Sequence, residues 1–390
     1  TALYRDARLL ALNEVGAEPD DGPLASQDFH RWCGSRLERW PQSLNATSTH
    51  DTKRSEDARA RLCVLADLPD AWQAAVGRWR DAAAPFRAMV DGEPAPEPAM
   101  ELLCYQSLLA AWPLDPAEQD GFSPRLQEYL VKAAREAKLR TSWLDPNEPY
   151  ERALARFVEA LLTDRQAEPF RQDVYRFWRP VAFHGALTSL AQTAIKLTAP
   201  GVPDLYQGCE LWCFSLVDPD NRRPVDFARR EAALRQLHAR ADLPALASEL
   251  LETWEDGRIK LHLTTRLLSL RRDDPELFGS GSYLPLASEG SCAESVVAFV
   301  RQRGKRWSLT AVPRFTARLV EWEDGLPARR YPLGQPIWQD TALVLPSGAP
   351  RRWQCRLTGE RVEATGEEPP RLPLAQVFAR WPVAVLLAEE

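Results

Sequence analysis

The chain has 390 residues, enough for two or three domains at roughly 100–200 residues each, and its 45% hydrophobic and 27% charged residues exclude a disordered or fibrous protein. With 49 basic against 55 acidic residues the net charge is −6, which gives neither the basic footprint of a nucleic-acid binder nor a polybasic membrane anchor. No run reaches the roughly 18 apolar residues that a membrane-spanning helix needs.

Seven cysteines, at 33, 63, 104, 209, 213, 292 and 355, are odd in number and irregular in spacing. They read as reduced thiols of a cytoplasmic protein and not as a disulfide framework. Cys209 and Cys213 stand four apart, with no His or further Cys beside them to complete a tetrahedral zinc site. Fourteen tryptophans mostly suit core positions, although an indole face is also a surface on which sugars stack.

In PQSLNATSTHDTKRSED, residues 41–57, a short strand is predicted over 44–49. A helix follows, capped by Ser55, with Glu56 and Asp57 in its first turn. Ala58, Leu62 and Leu65 recur on one face of it. His50 and Asp51 thus fall in a loop just beyond the strand's C-terminal end. Residues 70–180 read as helical, over 72–80, 100–111, 124–138 and 149–162, with a Pro-rich connector at 92–100. Glu128 and Lys132 are spaced for an i, i+4 ion pair. Leu187, Leu190, Ala191, Ala194 and Ile195 form a helical stripe that Ala199-Pro200-Gly201 stops, and 202–206 reads as a second short strand. Helix, break, strand and loop in succession is the texture of a βα repeat. The segment CELWCFSLVDPDNRRPVDF, 209–227, is a long polar loop, and helices return over 228–278. From about 279 short apolar runs at 295–301, 307–312, 342–345 and 383–387 are punctuated by Gly and Pro. They predict a small all-β, sandwich-like domain.

Four stretches carry residues suited to chemistry. The first is His50-Asp51 with Lys53 and Arg54 behind it. A carboxylate flanked by cations stays ionised and can stabilise an oxocarbenium-like transition state; equally, Asp51 or Thr52 can simply cap a turn. The second is GVPDLYQGCELW, 201–212, where Tyr206, Gln207 and Glu210 combine an aromatic face with groups that bind hydroxyls, or form an ordinary strand edge. The third is DPDNRRPVDF, 218–227, including Arg222, which either contacts substrate or braces itself through Asp–Arg pairs. The fourth, 131–151, runs from a basic helix face with Lys132, Arg135 and Lys138 into Trp143, either a sugar subsite or a solvated helix face. No G-x-S-x-G nucleophile elbow is present. His30, His184, His238 and His262 read as structural or surface histidines.

On these stretches the sequence resembles the maltooligosyltrehalose synthase family of the α-amylase superfamily. STHDTKRSED at 48–57 is similar to the family's seventh-strand motif. PGVPDLYQGCELW and SLVDPDNRRPVDF within 200–227 are similar to its eighth-strand region and following loop. REAKLRTSWLDPNEPYE at 135–151 resembles part of its helical insertion, and TALYRDARLLALNEVG at 1–16 the stretch before it. The resemblance implies an α/β fold: the C-terminal part of a (β/α)8 barrel with a large helical insertion, then a small all-β sandwich domain. It divides the chain into a barrel segment at 1–54, the insertion at 55–180, the last barrel strand with its long loop and helices at 181–278, and the β domain at 279–390.

The resemblance also implies a chemistry. The family converts the reducing-end α-1,4 bond of a maltooligosaccharide into an α,α-1,1 bond by a retaining mechanism, with a carboxylate nucleophile, a carboxylic acid and a third carboxylate. By position Asp51 matches that third, transition-state-stabilising carboxylate, and His50 a histidine that binds sugar hydroxyls. Lys53, Arg54, Tyr206, Gln207, Glu210, Trp143 and Arg222 would contact substrate at the barrel mouth. The implied partner is an α-1,4-glucan, with no nucleic acid or membrane, and no metal or organic cofactor. The motifs that carry the nucleophile and the acid have no counterpart here. The resemblance therefore implies a C-terminal fragment, or one half of a split enzyme, that is inactive without the missing N-terminal half of the barrel. Cys209 and Cys213 depart from the family pattern, where a hydroxyl residue and a carboxylate are expected. A hydrolase or 4-α-glucanotransferase of the same superfamily, or a non-catalytic glucan-binding half-barrel, are the rival readings.

Overall fold

A computed structural model describes residues 2–17, 22 and 24–389. The described chain is rich in helices, with small sheets. Its longer helices are α1 (Ser26–Arg39), α2 (Glu56–Val64), α3 (Pro69–Ala83), α4 (Pro98–Ala111), α5 (Phe122–Ala137), α6 (Glu148–Thr163), α7 (Glu168–Thr198), α8 (Phe227–His238), α9 (Leu243–Glu252), α10 (Arg258–Asp273) and α11 (Pro275–Ser280). Proline stands in the first turn of α3, α4, α6, α7, α9 and α11, where its missing N–H costs nothing. Asn147, Asp226, Asp242 and Asp274 accept backbone N–H bonds as side-chain caps, which is why those helices begin where they do.

Before the β-rich region the strands are short. β1 (Leu44–Asn45) lies parallel to β4 (Val202–Pro203), with Leu44 opposite Val202, and β2 (Ala88–Val90) pairs with β3 (Glu93–Ala95). The expected strands over 44–49 and 202–206 thus stop early. After Asn45 the hydroxyls of Ser48, Thr49 and Thr52 bind backbone in the same loop, an alternative to the sheet ladder. After Pro203, which brings no N–H, the chain turns at 207–210. The hairpin inside the Pro-rich connector was not expected from its composition.

Two further differences concern helices. α7 runs without a break across residue 180, where a domain boundary was placed; its residues on both sides of that point are buried in one continuous core. Lys132 does not pair with Glu128. Its ammonium reaches across to Asp218 Oδ1 at 2.5 Å and Asp218 O at 2.6 Å, a charge-assisted contact that a solvated i, i+4 pair cannot match.

From Ser282 onward the regular elements are mostly strands. Antiparallel β5 (Ser282–Pro285), β7 (Val296–Arg303), β8 (Arg306–Pro313), β15 (Ala384–Ala388), β12 (Arg352–Cys355) and β13 (Arg361–Glu363) form a six-stranded sheet in that spatial order. A three-stranded sheet joins β6 (Ala287–Glu289), β11 (Ala342–Val344) and β14 (Arg371–Pro373); β9 (Trp322–Glu323) and β10 (Leu326–Pro327) make a small hairpin. The apolar runs seen in the sequence are the central strands, with Val300, Leu309, Ala311, Val385 and Leu386 fully buried. This region does not stand apart from the helices. Arg301 is buried and donates to the carbonyls of Thr198, Phe278 and Gly281. One large hydrophobic core spans residues from Ala7 to Leu386, beside a small second cluster of Cys33, Ala199, Tyr283 and Phe299.

Gly185 sets a close helix crossing. A Cβ there would lie 2.7 Å from Arg61 Cγ and 2.8 Å from Arg61 Cα, so α2 and α7 approach as closely as they do because position 185 has no side chain. That crossing fixes α2, and α2 carries the loop that precedes it.

Candidate functional site

The loop between β1 and α2 is built from short-range hydroxyl contacts and pinned from outside. Thr52 Oγ1 donates to Thr49 O at 3.0 Å, and the Asp51 N–H donates to Thr49 Oγ1 at 3.2 Å. The Lys53 N–H donates to Glu14 Oε1 at 2.9 Å, and the Asn221 side chain to His50 O at 2.9 Å. Ser55 N–H donates to Ser215 O at 2.9 Å. The result is a fixed turn with His50 and Asp51 exposed at its tip.

At that tip Asp51 is 57% exposed, with Oδ1 3.3 Å from Lys53 Nζ. The same ammonium donates to Asp51 O at 3.1 Å. Asp218 stands nearby between Lys132 and Arg222, whose Nη2 is 3.7 Å from Asp218 Oδ2. The bond from Lys132 holds the Asp218 carboxyl below its usual range, and the charges of Lys132, Arg222 and Lys53 add to this. Tyr206 is half-buried and donates its hydroxyl to Asn221 O at 3.1 Å. The structure therefore gathers His50, Asp51, Lys53, Arg222 and Tyr206 around Asn221 and Asp218.

Other expected site residues lie elsewhere. Arg54 is buried, pairs its backbone with Leu216, and donates to Tyr129 Oη at 2.7 Å and Leu10 O at 3.3 Å. Its guanidinium points into the protein, because the backbone bridge turns residue 54 to the opposite side from Lys53. Glu210 accepts from the Gly208 N–H at 3.0 Å and Arg230 Nε at 2.8 Å, so it braces its own loop against α8. Gln207 lines a cavity of about 210 Å³ whose walls include Trp212, Cys213, Phe214, Asn221 and Arg125. Trp143 is half exposed, with Nε1 3.0 Å from Glu136 Oε1 and the Arg135 guanidinium 4.8 Å from its ring centre.

One face of α5 connects these groups. Arg125 holds buried Asp220 at 2.8 Å, Tyr129 receives Arg54, Lys132 holds Asp218 and Glu136 holds Trp143. The spacing 125, 129, 132, 136 is a single helical stripe. Of these, the sequence reading singled out only Lys132, as a solvated basic face. The Asp–Arg loop at 218–223 does brace itself, through Asp220 to Arg223 at 2.9 Å, while Asn221 also meets the His50 turn.

Behind the turn lies a buried charge network that no local pattern in the chain reveals. Glu56 and Asp57 are fully covered. Lys196 Nζ donates to Glu56 Oε2 at 2.9 Å and to Thr47 Oγ1 at 2.7 Å. Lys260 Nζ lies 2.8 Å from both Asp57 oxygens and 2.7 Å from Glu56 Oε1. Asp57 also accepts the Cys213 N–H at 2.7 Å and the Ser189 hydroxyl. Burial alone would push the Glu56 carboxyl up; Lys260 and Lys196 overcome it and hold the group down at about 2. The network locks Thr47 in the loop after β1, α2, α7, α10 and the 209–215 loop together, which fixes the backbone on both sides of the Asp51 turn. Among the described residues no group of three or more His, Cys, Asp and Glu is placed to hold a metal ion, and no described helix is long and apolar enough to cross a membrane.

No family model matches the chain. A putative maltooligosyl trehalose synthase of Mycobacterium tuberculosis is 35% identical over 386 residues, 99% of this chain and 43% of that protein. The solved maltooligosyltrehalose synthase of Arthrobacter ramosus superimposes with a TM-score of 0.79 at 32% identity, covering 100% of this chain and 44% of that one. A hypothetical maltooligosyl trehalose synthase of Sulfolobus tokodaii gives a TM-score of 0.71 at 26% identity, over 99% of this chain and 44% of that one. The chain thus spans less than half the length of the relatives it matches.

Proposed function

We propose, from the premise that this chain is a relative of the maltooligosyltrehalose synthases over nearly all of its length, that it forms part of the active surface of an intramolecular transglucosylase. The activity belongs to the whole polypeptide: conversion of the reducing-end α-1,4 bond of a maltooligosaccharide into an α,α-1,1 bond, which yields a trehalose unit. Asp51 is the carboxylate that steadies the oxocarbenium-like transition state, and His50 and Lys53 are the neighbours that position sugar hydroxyls. The nucleophile and the acid are supplied by sequence matching the rest of the relatives' length.

The observation that carries this reading is the Asp51 turn itself. A half-exposed carboxylate stands at the tip of a loop pinned by Glu14, Asn221 and Ser215, with one ammonium at its side. A charge fixed before reaction stabilises a developing positive centre without reorganising in the transition state. The rim is polar and holds Tyr206, whose ring is a surface for a pyranose. Trp143 and Arg222, both half exposed, would extend the contact along the glucan; Arg54, Glu210 and Gln207 act on the loops or the adjoining cavity.

The test feeds maltohexaose to the longest natural polypeptide that carries this sequence, with reducing ends and free glucose followed together. Falling reducing ends with little glucose is the expected result. Rising reducing ends would make the protein a hydrolase, and binding without turnover a glucan-binding protein.

A further inference from the structure

Two cations of α5 grip two acids of the loop that follows β4. Arg125 donates to Asp220 through Nε and Nη2, at 2.8 and 2.9 Å, and to Phe214 O at 3.2 Å. Further along the helix, Lys132 Nζ holds Asp218 by its carboxylate at 2.5 Å and by its carbonyl at 2.6 Å. Residues 125 and 132 lie on one face of the helix, about 10 Å apart along its axis. The first pair is largely buried and the second half-buried. Charge-assisted bonds in such places are stronger and less screened than exposed ones.

The gripped loop is the one that touches the Asp51 turn. The Asn221 side-chain amide donates to His50 O at 2.9 Å, and the Asn221 carbonyl accepts the Tyr206 hydroxyl at 3.1 Å. Asp220 also braces the loop from within, where its Oδ2 accepts the Leu216 N–H at 2.8 Å. The backbone of Leu216 in turn bridges to Arg54. Contacts thus run from α5 through residues 216–221 to both sides of the turn and to Tyr206.

We propose that Lys132 and Arg125 are positioning residues for the transglucosylation: they clamp residues 218–221 so that Asn221 holds the His50–Asp51 turn and Tyr206 in one arrangement. This rests on the roles proposed above for Asp51 and Tyr206. A carboxylate stabilises developing charge best when its place is set before reaction, and a misplacement of about 1 Å can cost about 10²-fold in rate. The clamp has a second consequence. The reaction frees a glucose that has to turn and attack before water does. An aromatic ring fixed through its hydroxyl offers that sugar one surface, whereas a loose ring lets the sugar leave and water enter. Loosening the clamp therefore diverts turnovers from trehalose ends to free glucose.

The experiment compares wild type, Lys132→Met and Asn221→Ala in the longest natural polypeptide, fed maltohexaose. Lys132→Met should lower kcat by about 10-fold or more with KM within about twofold, the split expected when contacts to the transition state suffer alone. In both variants the share of turnovers that end in free glucose should rise severalfold. That share is independent of how much enzyme is folded, so a purely structural role would leave it unmoved. Asn221→Ala removes one hydrogen bond, worth about 1 kcal/mol, and carries the test where Lys132→Met fails to fold. Amide exchange adds a readout that needs no turnover: peptides over residues 49–55 and 214–222 should exchange faster in both variants, while one over 296–313 keeps the wild-type rate. The proposal is overturned if wild type forms trehalose ends and both variants match its kcat and glucose share, or if exchange over 49–55 is unchanged in both. Hydrolysis by the wild type would instead remove the transglucosylase reading, and the exchange comparison would then decide the clamp alone.

Discussion

Asp51 contributes little to folding: its carboxylate is more than half exposed and its one ion pair, to Lys53, is long. Exposed pairs of this kind are worth about 0–1 kcal/mol. Asp51→Asn should therefore leave the unfolding midpoint within about 0.5 kcal/mol of wild type in a urea titration. In the whole polypeptide it should lower transglucosylation of maltohexaose by about 10²-fold or more, the scale lost when one preorganised electrostatic group is removed. A stable but fully active variant would remove Asp51 from the mechanism. Lys53 and Arg54 show where residue-level reading reached its limit. Side by side in sequence they carry the same charge, and both were assigned to substrate. The bridge between residues 54 and 216 leaves Lys53 along Asp51 and turns Arg54 beneath Tyr129, and that pairing joins positions too distant for local pattern to reveal.

At the scale of elements, helix starts were legible because caps and N-terminal prolines are local chemistry. The helix begins just after Ser55 and its stripe of Ala58, Leu62 and Leu65 is buried as expected, but Ser55 does not cap it with its side chain, because that hydroxyl donates to Cys213 O instead. The other faces of α2 were not legible. Glu56 and Asp57 look like surface acids favoured by the helix dipole, yet their ammonium partners lie 140 and 203 residues away. The packing of α2 gives two predictions. Gly185→Ala places a methyl against the Arg61 backbone and should destabilise by about 1–3 kcal/mol, read as a lower denaturation midpoint with an unchanged urea m-value. Lys260→Met leaves two buried carboxylates with one remaining cation and should cost about 3–5 kcal/mol. Survival of Lys260→Met at wild-type stability would mean that water enters the network. The α5 stripe belongs at this scale too: its periodicity was visible, but the four groups it would grip were not, since they come from four separate segments.

At the scale of the molecule, the β-rich region was visible as a change of texture near 279, but its union with the helices was not. That union rests partly on two buried imidazoles. His184 of α7 meets Thr316 Oγ1 and Ala328 O, both at 3.1 Å, and His262 of α10 meets Leu357 O at 3.0 Å. Burial lowers His184 to about 4, only partly offset by the Ala328 carbonyl; burial likewise lowers His262 to about 4, with Leu357 O opposing it and the charge of Arg266 adding to it. Both rings are therefore neutral when folded. Between about pH 6.5 and 4 the unfolded chain binds protons that these two rings refuse, so stability must fall as pH falls through that window and be fully retained above it. The combined loss should reach a few kcal/mol. Glu56, held at about 2, adds its own loss only below about pH 4.5; His30, lowered by burial, adds to the histidine loss, and Asp57 and Asp67, raised by burial, oppose it, so the contribution of the two junction rings is read by substituting them. Urea unfolding at half-unit steps from pH 7.5 to 4.5 measures it. His184→Gln and His262→Gln should each flatten the slope relative to wild type, even where they lower stability overall. Two variants that both keep the wild-type slope would mean that the junction opens enough to hydrate both rings, and the two regions would then be coupled more loosely than their shared core implies.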